Sequence, residues 1–173
     1  MMKKFFFTAL LIVGTIFTAN AQTPYTSSKD EKHPDVTILN GIISKYALLN
    51  IEEFNKWYAS NQGYYTPAIE IVNAMEAAKD KVQFILFGGT WCDDTQFILP
   101  KFFKLQEQSG FPDNSIVFFG VNRAKQTLGN VAAAFKIVNV PTIIVMKDGK
   151  EVGRVVEYGK TGKWDVELAE LLK

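Results

Sequence analysis

The chain is poor in the residue types that build metal centres and catalytic dyads: one cysteine, Cys92, and one histidine, His33, among 173 residues. A single cysteine excludes any intramolecular disulfide, whereas exported proteins normally use cysteines in pairs. A lone histidine cannot assemble a metal site, and His33 sits in a polar stretch where it reads as a solvated side chain. Charge of either sign is also lacking in excess. Nineteen Lys and Arg face eighteen Asp and Glu, for a net charge of +1. That balance gives no electrostatic case for nucleic acid or for an anionic membrane surface. No apolar run reaches the roughly 20 residues that a bilayer span requires.

What is present begins with Met-Met-Lys-Lys, a mostly apolar run from Phe5 to Phe17, and Ala19-Asn20-Ala21. A basic start, an apolar centre and an Ala-x-Ala end read as a secretory signal peptide over residues 1–21, cleaved after Ala21. The expected location is therefore periplasmic or secreted, with no integral membrane segment left after cleavage. Removing Lys3 and Lys4 leaves 17 basic against 18 acidic residues, a charge of −1. Hydrophobic content of 47% suits a globular chain of one-domain length.

Residues 22–35 are polar and without apolar periodicity, and read as a flexible leader. Val36 to Leu49 suits one or two short strands. Asn50 is placed to cap a helix, with Glu53 completing a capping box and Phe54, Trp57 and Tyr58 forming its packed stripe. Thr66-Pro67 opens another helix that buries Ile69, Val72 and Met75. Residues 36–80 thus form an N-terminal extension to a core over 81–173; the extension reads as structural, an added edge strand and helical lid, with a partner-binding surface around Gly63-Tyr64-Tyr65 as the other reading.

The core is organised around Val82 to Pro100. Phe84 to Phe87 is a short apolar run stopped by Gly88-Gly89, the pattern of a buried central strand. Asp93 and Asp94 follow Cys92 at once and suit the first turn of a helix, whose free N–H groups favour negative charge. Cys92 therefore lies where a strand hands over to a helix N-terminus, a setting that favours a reactive thiolate. The two aspartates oppose that effect, and the residues alone do not give the net sign. Beyond it, the helix runs to Ser109-Gly110. A strand follows at Ser115–Val121, then a mostly helical stretch from Gln126 to Ile137. A hairpin pairs Thr142–Met146 with Glu151–Glu157 about Asp148-Gly149, and an amphipathic helix runs from Trp164 to Leu172. Adjacent side chains at a helix start diverge, so Cys92, Asp93 and Asp94 are not read as a metal site.

Trp91-Cys92-Asp93-Asp94-Thr95 resembles the Trp-Cys-x-x-Cys active site of the thioredoxin family, with threonine in place of the second cysteine. Val140-Pro141-Thr142 is similar to the family's cis-proline loop. Pro100 matches the proline within the helix behind the active site, and Lys147-Asp148-Gly149-Lys150 the turn between the last two strands. The resemblance covers Lys81 to Lys173. It implies an α/β, thioredoxin-like fold: a central mixed β-sheet with helices on both faces, here with the N-terminal extension added.

It also implies a site. Cys92 would be the attacking thiol, flanked by Trp91, with Thr95 as a hydroxyl able to hydrogen-bond a thiolate but unable to release a mixed disulfide. Val140 and Pro141 would pair with an extended substrate, and Gly88 and Gly89 would leave room for its backbone. Asp93 and Asp94 would modulate charge. The family's buried acid is replaced by Leu86. Arg123 and Lys125 read as solvated loop residues; on the motif side, they would offset the aspartates. The implied activity is that of a single-thiol oxidoreductase or isomerase acting on protein or low-molecular-weight thiols and disulfides, without cofactor. An external thiol would resolve the mixed disulfide. The alternatives are a protein-binding module without redox turnover and a structural member whose chemistry has lapsed.

Overall fold

A computed structural model of the chain describes residues 24–173; the expected signal peptide over residues 1–21 and its expected cleavage site lie outside them. Six strands form one sheet in the order β1-β2-β4-β3-β5-β6. They are β1 (Tyr25–Lys29), β2 (Thr37–Ile43), β3 (Gln83–Gly88), β4 (Ile116–Gly120), β5 (Thr142–Lys147) and β6 (Lys150–Val156). β3 and β4 run parallel, and the other neighbours are antiparallel. The helices are α1 (Lys45–Asn50), α2 (Glu52–Gly63), α3 (Ile69–Ala78), α4 (Asp93–Gln108), α5 (Val131–Ala134) and α6 (Trp164–Leu171). No helix among the described residues is long and apolar enough to cross a membrane.

The central strands are apolar on both faces because both faces are covered. Phe84, Leu86, Phe118, Ile143 and Val145 point into a large core against α1, α2, α3, α4 and α6. Their neighbours Phe87 and Ile144 point the other way, into a smaller core closed by Ala132 of α5 and by Val121 and Val140. This is the mixed sheet with helices on both faces that the resemblance implied. Leu86 is fully buried on the large-core side.

Residues 24–35 differ from the expected flexible leader. Tyr25–Lys29 pairs with Thr37–Gly41 as an edge strand, and Asp30 then turns the chain by accepting from the backbone N–H groups of Lys32 and His33 at 2.9 and 3.0 Å. The strand was hidden because it is mostly exposed, so backbone pairing rather than an apolar face holds it. Further on, Val36–Leu49 forms one strand and then α1, started by Ser44 accepting from Ala47 N–H. Asn50 ends α1 rather than capping α2. Glu53 instead accepts from the Thr37 N–H and hydroxyl at 2.7 and 2.5 Å, joining α2 to β2. α3 begins only at Ile69, without a side-chain cap. Between Gln126 and Ile137 only a 3-10 turn and the single turn of α5 are helical, since Gly129 and Asn130 take positive φ and interrupt the run.

Candidate functional site

β3 ends at Gly88, and the chain crosses the top of the sheet through Gly89, Thr90 and Trp91 to reach α4. Both glycines are required by contact, since a Cβ on Gly88 would lie 2.8 Å from the Thr95 methyl. A Cβ on Gly89 would lie 2.6 Å from the Trp91 indole. The room read from sequence as space for a substrate backbone is therefore filled from within, by Thr95, Leu99 and Trp91.

Cys92 is the residue immediately before α4, in extended conformation and partly exposed. Its N–H donates to Gly89 O at 2.9 Å, and its carbonyl accepts from Gln96 N–H at 2.9 Å. Its thiol donates to the Val140 carbonyl at 3.2 Å. That contact places the loop before β5 against the sulfur; the Val140–Pro141 peptide bond within it is cis. Glu157 N–H donates to Pro141 O at 2.7 Å and ties that loop to the end of β6.

Thr95 does not face the thiol as a hydrogen-bond partner. It is 1% exposed, and its hydroxyl accepts from Gly89 N–H at 3.2 Å. Its position one helical turn along α4 turns its side chain back under the glycine pair, where the missing Cβ atoms make room. Asp93 is exposed and Asp94 half-buried in the first turn, the place where helix N–H groups favour carboxylates. Tyr158, just past β6, packs at a tilt against Phe97 of α4, with ring centroids 5.8 Å apart and planes at 47°. Burial, and then the neighbouring Asp94 carboxylate, push its hydroxyl above the usual tyrosine range.

Trp91 is fixed on several sides. Its indole N–H donates to Val121 O at 2.9 Å. The Arg123 guanidinium lies 4.9 Å and the Lys125 ammonium 5.6 Å from its ring, within cation–π range. The two cations thus lie on the motif side, engaged with the indole. Sequence reasoning missed Tyr158, Asp30, Asn61 and Thr90, none of which carries a motif signal. Only Asn61 had an indirect one. Pro100 lacks an N–H, so Gln96 O must find another donor, and Asn61 Nδ2 supplies it at 3.1 Å.

The described arrangement is one thiol at a helix start, a cis-proline loop against it, and apolar side chains around it. Such a site can form and break one S–S bond, and it holds no second thiol to complete the cycle.

Comparison with known proteins agrees with this geometry. The family model for thioredoxin matches residues 70–168, more than half of the chain. Thioredoxin-1 of Saccharomyces cerevisiae is 34% identical over 79 residues, covering 46% of this chain and 71% of its own. A thioredoxin of Coprinus comatus is 32% identical over 112 residues, covering 65% of this chain and 84% of its own. A thioredoxin-like protein of Acanthamoeba polyphaga mimivirus is 33% identical over 76 residues, covering 44% of this chain. The chain spans about half, 53%, of that viral protein's length.

Proposed function

The chain belongs to the thioredoxin family, and on that premise we propose that it is an exported single-thiol disulfide-exchange protein acting through Cys92. The observation that carries the proposal is the contact of the Cys92 thiol with the Val140 carbonyl beside the cis Val140–Pro141 bond. It puts a sulfur next to the loop that leads into β5, a place that suits pairing with a substrate strand.

In the proposed cycle the Cys92 thiolate attacks one sulfur of a substrate disulfide. A mixed disulfide forms, and the other sulfur leaves as a thiolate. Thr95 cannot attack that bond, and its hydroxyl is held by Gly89. An external thiol therefore attacks the mixed disulfide, takes the substrate half as a new disulfide and returns Cys92 as a thiolate. The substrates are protein or low-molecular-weight thiols and disulfides, with no cofactor. Export rests on the signal-peptide pattern of residues 1–21.

The test is trapping. Incubated with oxidised glutathione, the protein should gain one glutathione per chain by intact mass, located to Cys92 by peptide mapping, and lose it again on adding reduced glutathione. No adduct at Cys92 would overturn the proposal. The Thr95 hydroxyl, which accepts from Gly89 N–H while the Cys92 sulfur bonds Val140 O instead, favours a second reading. In that reading the groove beside Pro141 holds a partner protein, and Cys92 forms no disulfide in turnover. An adduct that forms but resists reduced glutathione would select that reading.

A further inference from the structure

Residues ahead of position 70 lie outside the stretch matched by the thioredoxin family model, yet they reach the motif from three directions. The first is β2, whose backbone bonds the side chain of Thr90, a residue 3% exposed. The Thr90 hydroxyl donates to Thr37 O at 2.7 Å and accepts from Leu39 N–H at 3.2 Å. β2 is paired with β4 only over Gly41–Ile43, so on that edge Thr90 bonds backbone groups of β2 below the β4 pairing. The second is Asn61 of α2, which supplies the hydrogen bond that Pro100 withholds from Gln96 O. Gln96 in turn donates from Nε2 to Thr90 O at 2.8 Å. The third is Asp30, at the end of β1. Its side chain is 2% exposed and ion-paired with Arg123, the residue whose guanidinium lies on the Trp91 ring.

We propose that the N-terminal segment is a clamp on the Thr90–Cys92 loop, with Asp30 as a positioning residue for the thiol. Asp30 touches neither sulfur nor substrate. It fixes Arg123, Arg123 fixes the indole of Trp91, and the indole packs in one cluster with the Cys92 side chain. The inference rests on Cys92 being the reacting thiol. A buried carboxylate held by two backbone N–H groups and a guanidinium is a rigid anchor. A guanidinium over an aromatic face holds the ring in turn.

The test is hydrogen exchange of the Trp91 indole N–H, the group that donates to Val121 O, read by 15N NMR on the folded protein and on Asp30→Asn and Arg123→Gln. The Trp91 signal is identified by its loss in Trp91→Phe. Both substitutions should speed its exchange about tenfold, the change given by losing one contact of ordinary strength to a charged group. The indole of Trp164, the buried first residue of α6 in the large core, should keep its rate. Iodoacetamide alkylation of Cys92, compared at one pH, should change in parallel. Unchanged exchange at Trp91, or equal acceleration at Trp91 and Trp164, would overturn the proposal. Arg123 is 41% exposed at its side chain, so Arg123→Gln serves as the test even if Asp30→Asn does not fold. Alkylation needs no disulfide exchange. A protein without redox turnover but with a loosened indole would keep the clamp and lose the function proposed above.

Discussion

The bond between Asn61 and Gln96 makes a prediction that a double-mutant cycle can settle. Pro100 sits inside α4 and has no N–H for the Gln96 carbonyl. Asn61 Nδ2 donates to that carbonyl at 3.1 Å from the neighbouring helix, and also to Trp57 O at 3.0 Å. Trp57 O lies four residues before Asn61 in α2, so a helical N–H already serves it. The bond to Gln96 is therefore the one whose loss strands an acceptor. An unpaired buried carbonyl costs about 1–3 kcal/mol. Because the contact is only partly buried, Asn61→Ala should fall in the lower half of that range, about 1–2 kcal/mol. With Pro100→Ala in place, the alanine N–H can bond Gln96 O along the helix, and Asn61→Ala should then cost about 0.5 kcal/mol. The coupling of about 1 kcal/mol stands apart from the effect of Pro100→Ala alone, which mixes a restored bond with lost proline packing. Urea unfolding of the four proteins, with midpoints compared at a shared slope, measures it. Additivity within about 0.3–0.5 kcal/mol would show that Asn61 does not compensate for the proline.

Other expectations follow from single contacts. A Cβ on Gly120 would collide with Leu39 O in the facing backbone of β2, so Gly120→Ala should destabilise by about 1–3 kcal/mol through forced strand separation. An unchanged urea midpoint would mean that β2 does not sit against β4 as described. Asp113 is held below the usual carboxylate range first by the Tyr46 hydroxyl and also by Lys45, at 2.7 and 3.1 Å. Its pKa is depressed on folding, so its contribution to stability is present above the ordinary value of about 3.9. That contribution is lost as pH falls through the folded value. Asp113→Asn should thus lower stability at neutral pH, and the difference from the parent should close in acid. A difference that persists below the folded value would contradict this. Gly89→Ala should displace the Trp91 indole, 2.6 Å from the added Cβ, and shift its NMR signal; a fixed signal would refute that contact.

Legibility in the sequence tracked burial. The central strands were readable because Phe84–Phe87 and Thr142–Met146 face two cores at once and so carry continuous apolar runs. The thiol and its loop were readable as motifs, since a cysteine after a glycine pair and a proline before a strand are local signals. Tyr25–Lys29 was not, because an exposed edge strand is held by backbone bonds that leave no mark on side-chain pattern. Glu53 and Asn61 were misread or missed for a related reason. Each has a local role by its spacing, and tertiary partners, Thr37 and Gln96, determine what it does. Thr95 shows the same limit at the site itself: spacing brought it to the second-cysteine position, and the gap left by the two glycines turned its hydroxyl to Gly89.

The most direct test of the central claim is steady-state reduction of a small mixed or symmetrical disulfide, followed with glutathione, glutathione reductase and NADPH. The parent protein should show turnover that rises with glutathione concentration, because an external thiol must release each adduct, and Cys92→Ser should show none while keeping its urea midpoint. Turnover retained in Cys92→Ser, or none in the parent at any glutathione concentration, would contradict the assignment of Cys92 as a single exchanging thiol.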